Sequence, residues 1–102
     1  MTITRPHRWA ILKVAADETF YRVFAMWRGG YLDGDSWRVN SGVTRVEETD
    51  DAFLFHGLSG SIYECAKGAY GLTAYGASVI SSALKGGVAV MPEDTDWLSL
   101  IE

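Results

Sequence analysis

A chain of 102 residues with 48% apolar and 13% aromatic side chains has material for one domain with a real core, and a charged fraction of 22% excludes a wholly disordered chain. The formal charge of −4 sits at one end: residues 1–92 hold nine acids against nine bases, and the excess is Glu93, Asp94, Asp96 and Glu102. A neutral body with an acidic end offers no basic face for duplex nucleic acid, no apolar run approaches the length of a membrane span, and the single Cys65 excludes an intrachain disulfide. With no apolar leader in residues 1–8, the expected location is cytoplasmic.

In chain order, residues 1–8 are polar and contain Pro6, and read as a flexible lead-in. Trp9 to Val14 is an apolar run of strand length, turned by Ala15-Ala16-Asp17-Glu18. Phe20 to Arg28 alternates. Phe20, Arg22, Phe24, Met26 and Arg28 share one side of a strand, and Tyr21, Val23, Ala25 and Trp27 share the other. Both sides are largely apolar, so this strand is central and its second face is at least partly covered. Gly29-Gly30 and Asp33-Gly34 punctuate the next stretch as turns. Ser36 to Val39 is extended, and Asn40-Ser41-Gly42 interrupts it as a bulge or kink.

Val43 to Glu48, Phe53 to His56 and Ser61 to Ala66 follow as short strands separated by Glu48-Thr49-Asp50-Asp51 and Gly57-Leu58-Ser59-Gly60, the spacing of an antiparallel meander. The period then changes. Leu72, Tyr75, Val79, Ile80, Ala83 and Leu84 recur at steps near three and four, which predicts an amphipathic helix over 72–85, opened by Thr73 and closed by Lys85-Gly86-Gly87. No charged side chain lies between Gly68 and Leu84. The far face of the helix (Ala74, Ala77, Ser78, Ser81, Ser82) therefore suits contact with a partner or a second copy. Val88 to Met91 reads as an edge strand, and 92–102 as an acidic tail in which Thr95 could cap one short turn carrying Trp97. The expected architecture is α+β: a four- to five-stranded, mostly antiparallel twisted sheet with one amphipathic helix on one face. A partly closed barrel is the alternative.

Motifs for chemistry are few. Asp33-Gly34-Asp35 begins like a calcium loop, but Trp37 and Thr44 stand where the next ligands belong. His56, Ser59, Ser61, Tyr63 and Glu64 are close in sequence with no triad or nucleophile-elbow pattern around them. Cys65 lies inside a strand pattern with no second ligand to make a metal site. No phosphate-cradling glycine loop occurs. No catalytic, metal or cofactor residues are assigned. The remaining polar-aromatic group is Trp27, Tyr31, Asp33, Asp35, Trp37, Arg38, Asn40 and Ser41, of the types that anchor interfaces and line small-ligand pockets.

The words Gly-Gly-Tyr-Leu (29–32), Gly-Asp-Ser-Trp-Arg (34–38), Asn-Ser-Gly (40–42), Gly-Ser-Ile-Tyr (60–63) and Tyr-Gly-Leu-Thr (70–73) resemble small hypothetical proteins of phages and prophages. That resemblance spans roughly residues 20–84 and carries over no activity and no functional residue. It implies a class of role: a short protein that binds and blocks a host component, as anti-CRISPR proteins do. The resulting expectation is a non-catalytic binding protein with a protein partner, in its specific form a phage-encoded inhibitor of a bacterial defence complex. Two alternatives stand beside it. One is a small-molecule or nucleotide-binding module with its pocket at a dimer interface, lined by Trp27 and Trp37. The other is a small enzyme using His56 and Glu64.

Overall fold

The computed structural model describes residues 3–15, 17–29, 36–83 and 87–101. Ten elements follow one another: β1 (Ile3–Thr4), β2 (Arg8–Ala15), β3 (Thr19–Trp27), β4 (Ser36–Val39), β5 (Val43–Glu48), β6 (Ala52–Gly57), β7 (Ile62–Ala66), α1 (Ala74–Ala83), β8 (Val88–Val90) and α2 (Trp97–Leu100). They make two four-stranded sheets, ordered β1–β7–β6–β5 and β4–β3–β2–β8. The broad α+β expectation holds, with a helix on one sheet face. The single sheet of four or five strands does not: among the described residues eight strands divide between two sheets, and neither closes into a barrel.

The division occurs at Asn40-Ser41-Gly42. β4 pairs antiparallel with β3, aligning Phe24 with Val39 and Trp27 with Ser36. The chain then leaves that sheet, and β5 pairs with β6 in the other. Asn40 finishes the first ladder. Its N–H donates to the Val23 carbonyl at 3.1 Å, and its side-chain Oδ1 accepts from Val23 N–H at 2.9 Å and from Gly42 N–H at 3.3 Å. Gly42 has φ +128°, a conformation other residues rarely adopt, and its carbonyl accepts from Leu58 N–H. The interruption is a corner between sheets rather than a kink within one.

The alternation expected for residues 43–48 is also broken. A register shift between Val43 and Arg45 lets both Val43 and Val46 reach the core.

The main core lies between the sheets. β2 and β3 contribute Trp9, Ile11, Val23 and Ala25, while β5, β6 and β7 contribute Val46, Phe55, Tyr63 and Cys65. These are one parity of each strand, as period-2 alternation requires. Trp9 is the hub: its ring stands 5.4 Å from Phe55 and 4.7 Å, edge-on, from Tyr70, and its indole N–H donates to the Ala66 carbonyl at 2.8 Å. Such aromatic pairs add roughly 0.5–1.5 kcal/mol each beyond buried area.

The opposite parity of β2 and β3 forms a second, smaller core. Ala10, Leu12, Phe24 and Met26 pack there against Leu72, which precedes α1, and against Val79 and Ile80 on it. Thr73 opens α1, its hydroxyl accepting from Gly76 N–H at 2.9 Å. Lys85 and Gly86, expected to close the helix, lie outside the described residues.

Both ends of the chain are tied in. Ile3–Thr4 of the expected lead-in run parallel to β7, and Arg5 pairs with Glu64 at 3.2 Å. The expected acidic tail returns Trp97 to the inter-sheet core, where it is 3% exposed. Asp96, not Thr95, caps α2: its Oδ1 accepts from Ser99 N–H at 3.3 Å, while the Thr95 hydroxyl donates to the Pro92 carbonyl.

Candidate functional site

Among the described residues, the outward face of the β4–β3–β2–β8 sheet is only half covered. α1 lies over Phe24 and Met26, approaching so closely that a Cβ on Gly76 would stand 2.5 Å from Met26 Sδ. At the other end of the same face the strands leave a recess of about 440 Å³, lined by Leu12, Val14, Phe20, Arg22, Trp37, Val39 and Val88. Pockets that hold small ligands run from about 300 to 1,000 Å³ and are mostly apolar with a few placed polar groups.

Strand pairing explains the lining. Leu12 and Val14 lie opposite Arg22 and Phe20 in the β2–β3 hairpin, and Val14 also lies opposite Val88 on the other side. Val39 and Trp37 extend the row across β4. Trp37 forms the wall between the recess and the helix-covered end, its ring 5.7 Å from that of Phe24. It is 38% exposed, so one edge of the indole remains at the rim.

Among the described residues of this lining, Arg22 is the only charged side chain. Its guanidinium carbon sits 5.1 Å from the centre of the Phe20 ring, a cation–π arrangement. Its Nε is buried and has no hydrogen-bond partner. A buried donor left unsatisfied costs on the order of 1–3 kcal/mol.

Of the eight residues singled out in the sequence, five are described and they do not converge. Tyr31, Asp33 and Asp35 lie outside the described residues. Trp37 is in the recess wall. Trp27 faces the inter-sheet side of the same sheet, half-buried, and its indole N–H donates to the Arg5 carbonyl at 3.0 Å. A pocket lined by both tryptophans is therefore ruled out: they occupy opposite faces. Arg38 also points away from Trp37, toward Tyr63. Burial pushes the Tyr63 phenol above its usual range, and the guanidinium pulls it partly back. Asn40 and Ser41 belong to the corner. The Ser41 hydroxyl accepts from Ser59 N–H at 3.0 Å and lies 3.2 Å from the Ser59 hydroxyl. Asn40 is 3% exposed, and its Nδ2 is unpartnered.

The enzyme alternative turns on His56 and Glu64. His56 and Glu64 share the outer face of the other sheet but engage different partners. His56 Nε2 is 2.6 Å from Glu47 Oε1 and 3.3 Å from Arg45, while Glu64 pairs with Arg5. Cys65 is fully buried between the sheets, and desolvation raises its thiol well above the usual value, the opposite of an activated nucleophile. Among the described residues no group of three or more His, Cys, Asp or Glu is placed to hold a metal ion, and no helix is long and apolar enough to cross a membrane. Of the helix residues expected to meet a second copy, Ala74, Ala77, Ser78 and Ser81 are exposed on α1.

Sequence reasoning missed Leu12, Val14, Phe20, Arg22, Val39 and Val88 as site residues. One signal was available. A helix over 72–85 is about 21 Å long and about 10 Å wide, whereas four paired strands of up to nine residues make a face of about 19 Å by 30 Å. One such helix cannot cover a face that is apolar from Phe20 to Met26. Comparison with family models, with curated proteins and with solved structures gave no match, so the reading of this site rests on its own chemistry.

Proposed function

We propose that this is a non-catalytic binding protein whose site is the apolar recess on the outward face of β2, β3 and β4. The observation that carries this reading is the half-covered sheet face. A helix seals Phe24 and Met26, and beside it the same strands hold an open apolar volume of about 440 Å³. Buried apolar surface gives such a site its affinity, at roughly 25 cal/mol per Å² removed from water. The neutral dye N-phenyl-1-naphthylamine tests it. Saturable emission with one-to-one stoichiometry is expected from the wild type, and its loss from Val39→Trp, which fills the recess. Equal emission from a folded Val39→Trp variant would place the dye elsewhere and defeat the assignment.

A second reading is favoured by Trp37. An indole 38% exposed on an edge strand is the type of side chain that anchors a protein interface. The partner would be a component of a bacterial defence complex, in keeping with the phage resemblance. A pull-down from bacterial lysate compares wild-type and Trp37→Ala baits. Undiminished capture of every host protein by the variant would end this reading.

A further inference from the structure

Resting on the recess as the binding site, we propose that its ligand is an apolar molecule carrying a single carboxylate, with Arg22 as the group that pairs with it.

The outward positions of β3 are Phe20, Arg22, Phe24 and Met26, with Leu12 across the hairpin from Arg22. An arginine in this row interrupts an otherwise apolar surface. Its methylene stem can cover that surface, as long cationic side chains commonly do. The stem does not account for the head. Nε is buried without an acceptor, and none of the ion pairs among the described residues involves Arg22. The acids nearest in sequence, Asp17 and Glu18, are exposed on the hairpin turn.

A guanidinium offers two parallel N–H donors to a carboxylate, and Nε is one of the pair in the side-on geometry. A carboxylate bound in the recess would neutralise the cation, and a turn of the side chain that brings Nε to the surface would let it satisfy the orphaned donor as well. The remainder of the lining dictates the remainder of the ligand: Leu12, Val14, Trp37, Val39 and Val88 offer apolar contact with their side chains. A phosphate dianion would leave most of its oxygens against those walls without donors. A monocarboxylate with a compact hydrocarbon body matches both the Arg22 cation and the apolar volume.

Octanoate and 1-octanol share a chain and differ in the charged end, so calorimetric titration of both separates the carboxylate from the recess. Wild type should bind octanoate about tenfold or more tightly than 1-octanol, the scale of a charge-assisted hydrogen bond. Arg22→Met should erase the difference by weakening octanoate and leaving 1-octanol within about threefold, and Arg22→Lys should keep part of it. Val39→Trp should weaken both ligands together. Equal wild-type affinity for the two ligands would overturn the carboxylate assignment and leave the recess standing. Failure of both to bind wild type would overturn the recess itself. If Arg22→Met does not fold, the wild-type ratio and the Arg22→Lys ratio decide.

Discussion

Gly76 sets the distance between α1 and its sheet. Alanine in a helix interior is worth up to about 1 kcal/mol over glycine. Here the added methyl would stand 2.5 Å from Met26 Sδ and 3.2 Å from a Phe24 ring carbon, both fully buried. Neither neighbour can swing into solvent, so overpacking dominates and Gly76→Ala should destabilise by roughly 1–3 kcal/mol, read from the urea midpoint. The buried thiol and phenols make a separate prediction. Cys65 titrates at 9.0 when free, and desolvation raises it; Tyr70, raised chiefly by burial, and Tyr63 start from 10.0. Each group holds its proton more tightly folded than unfolded. Between its free and raised values the folded state therefore binds more protons, and stability falls as pH climbs. The contribution is complete below pH 9, begins to fall there through Cys65, and falls further above pH 10 through the tyrosines. Urea midpoints measured from pH 7 to 11 should show this decline, and Cys65→Ala should move its onset from about 9 to about 10. A wild-type midpoint flat to pH 11 would contradict the burial of all three groups.

At the scale of elements, residues 92–102 show what sequence pattern alone conveys. Pro92 with Glu93, Asp94 and Asp96 carries the polar signature of a solvated tail. Its single turn is too short for an apolar stripe to declare itself, yet Trp97 packs within 5.9 Å of Trp9, 5.6 Å of Tyr70 and 6.3 Å of Phe55. Trp97→Ala should cost about 3–5 kcal/mol, whereas neutralising the exposed Glu93 or Asp94 should stay within about 0.5 kcal/mol. Deleting residues 93–102 should reproduce the Trp97→Ala loss or exceed it, because Leu100 and Ile101 leave the core as well. Strands were more legible than their assembly. The alternation in Phe20–Arg28 stated both faces correctly, and the hairpin, the meander and the helix followed from turn residues and period. That β5–β6–β7 folds over the first sheet, rather than extending it, was not legible. The decision rests on Asn40 closing one ladder with its side chain and on the positive φ of Gly42, which an Asn-Ser-Gly triplet permits without requiring. The site was legible in part for the same reason. Trp37 was identified, but its neighbours depend on which face of β4 points outward, and Trp27, one strand away, faces the other side.

Across the whole molecule, one sheet serves two surfaces. Its inward parity meets the second sheet and carries Trp9, the hub of the aromatic contacts there, while its outward parity is shared between α1 and the recess. A domain of this size has a net stability of about 5–15 kcal/mol, so the two surfaces should separate sharply under mutation. Phe55 is fully buried on the inward side, against Trp9, Phe53 and Trp97, and Phe55→Ala should cost about 3–5 kcal/mol. Trp37 contacts Phe24 at the recess rim and is partly exposed, so Trp37→Ala should cost only about 1 kcal/mol. Affinity for an apolar probe should respond in the reverse order: weakened by Trp37→Ala, and unchanged in Phe55→Ala under conditions where that variant is folded. Paired urea melts and dye titrations on the two variants place stability and binding on separate axes. Comparable stability losses from both would mean that the outward face belongs to the core, and that the recess is a packing irregularity rather than a binding surface.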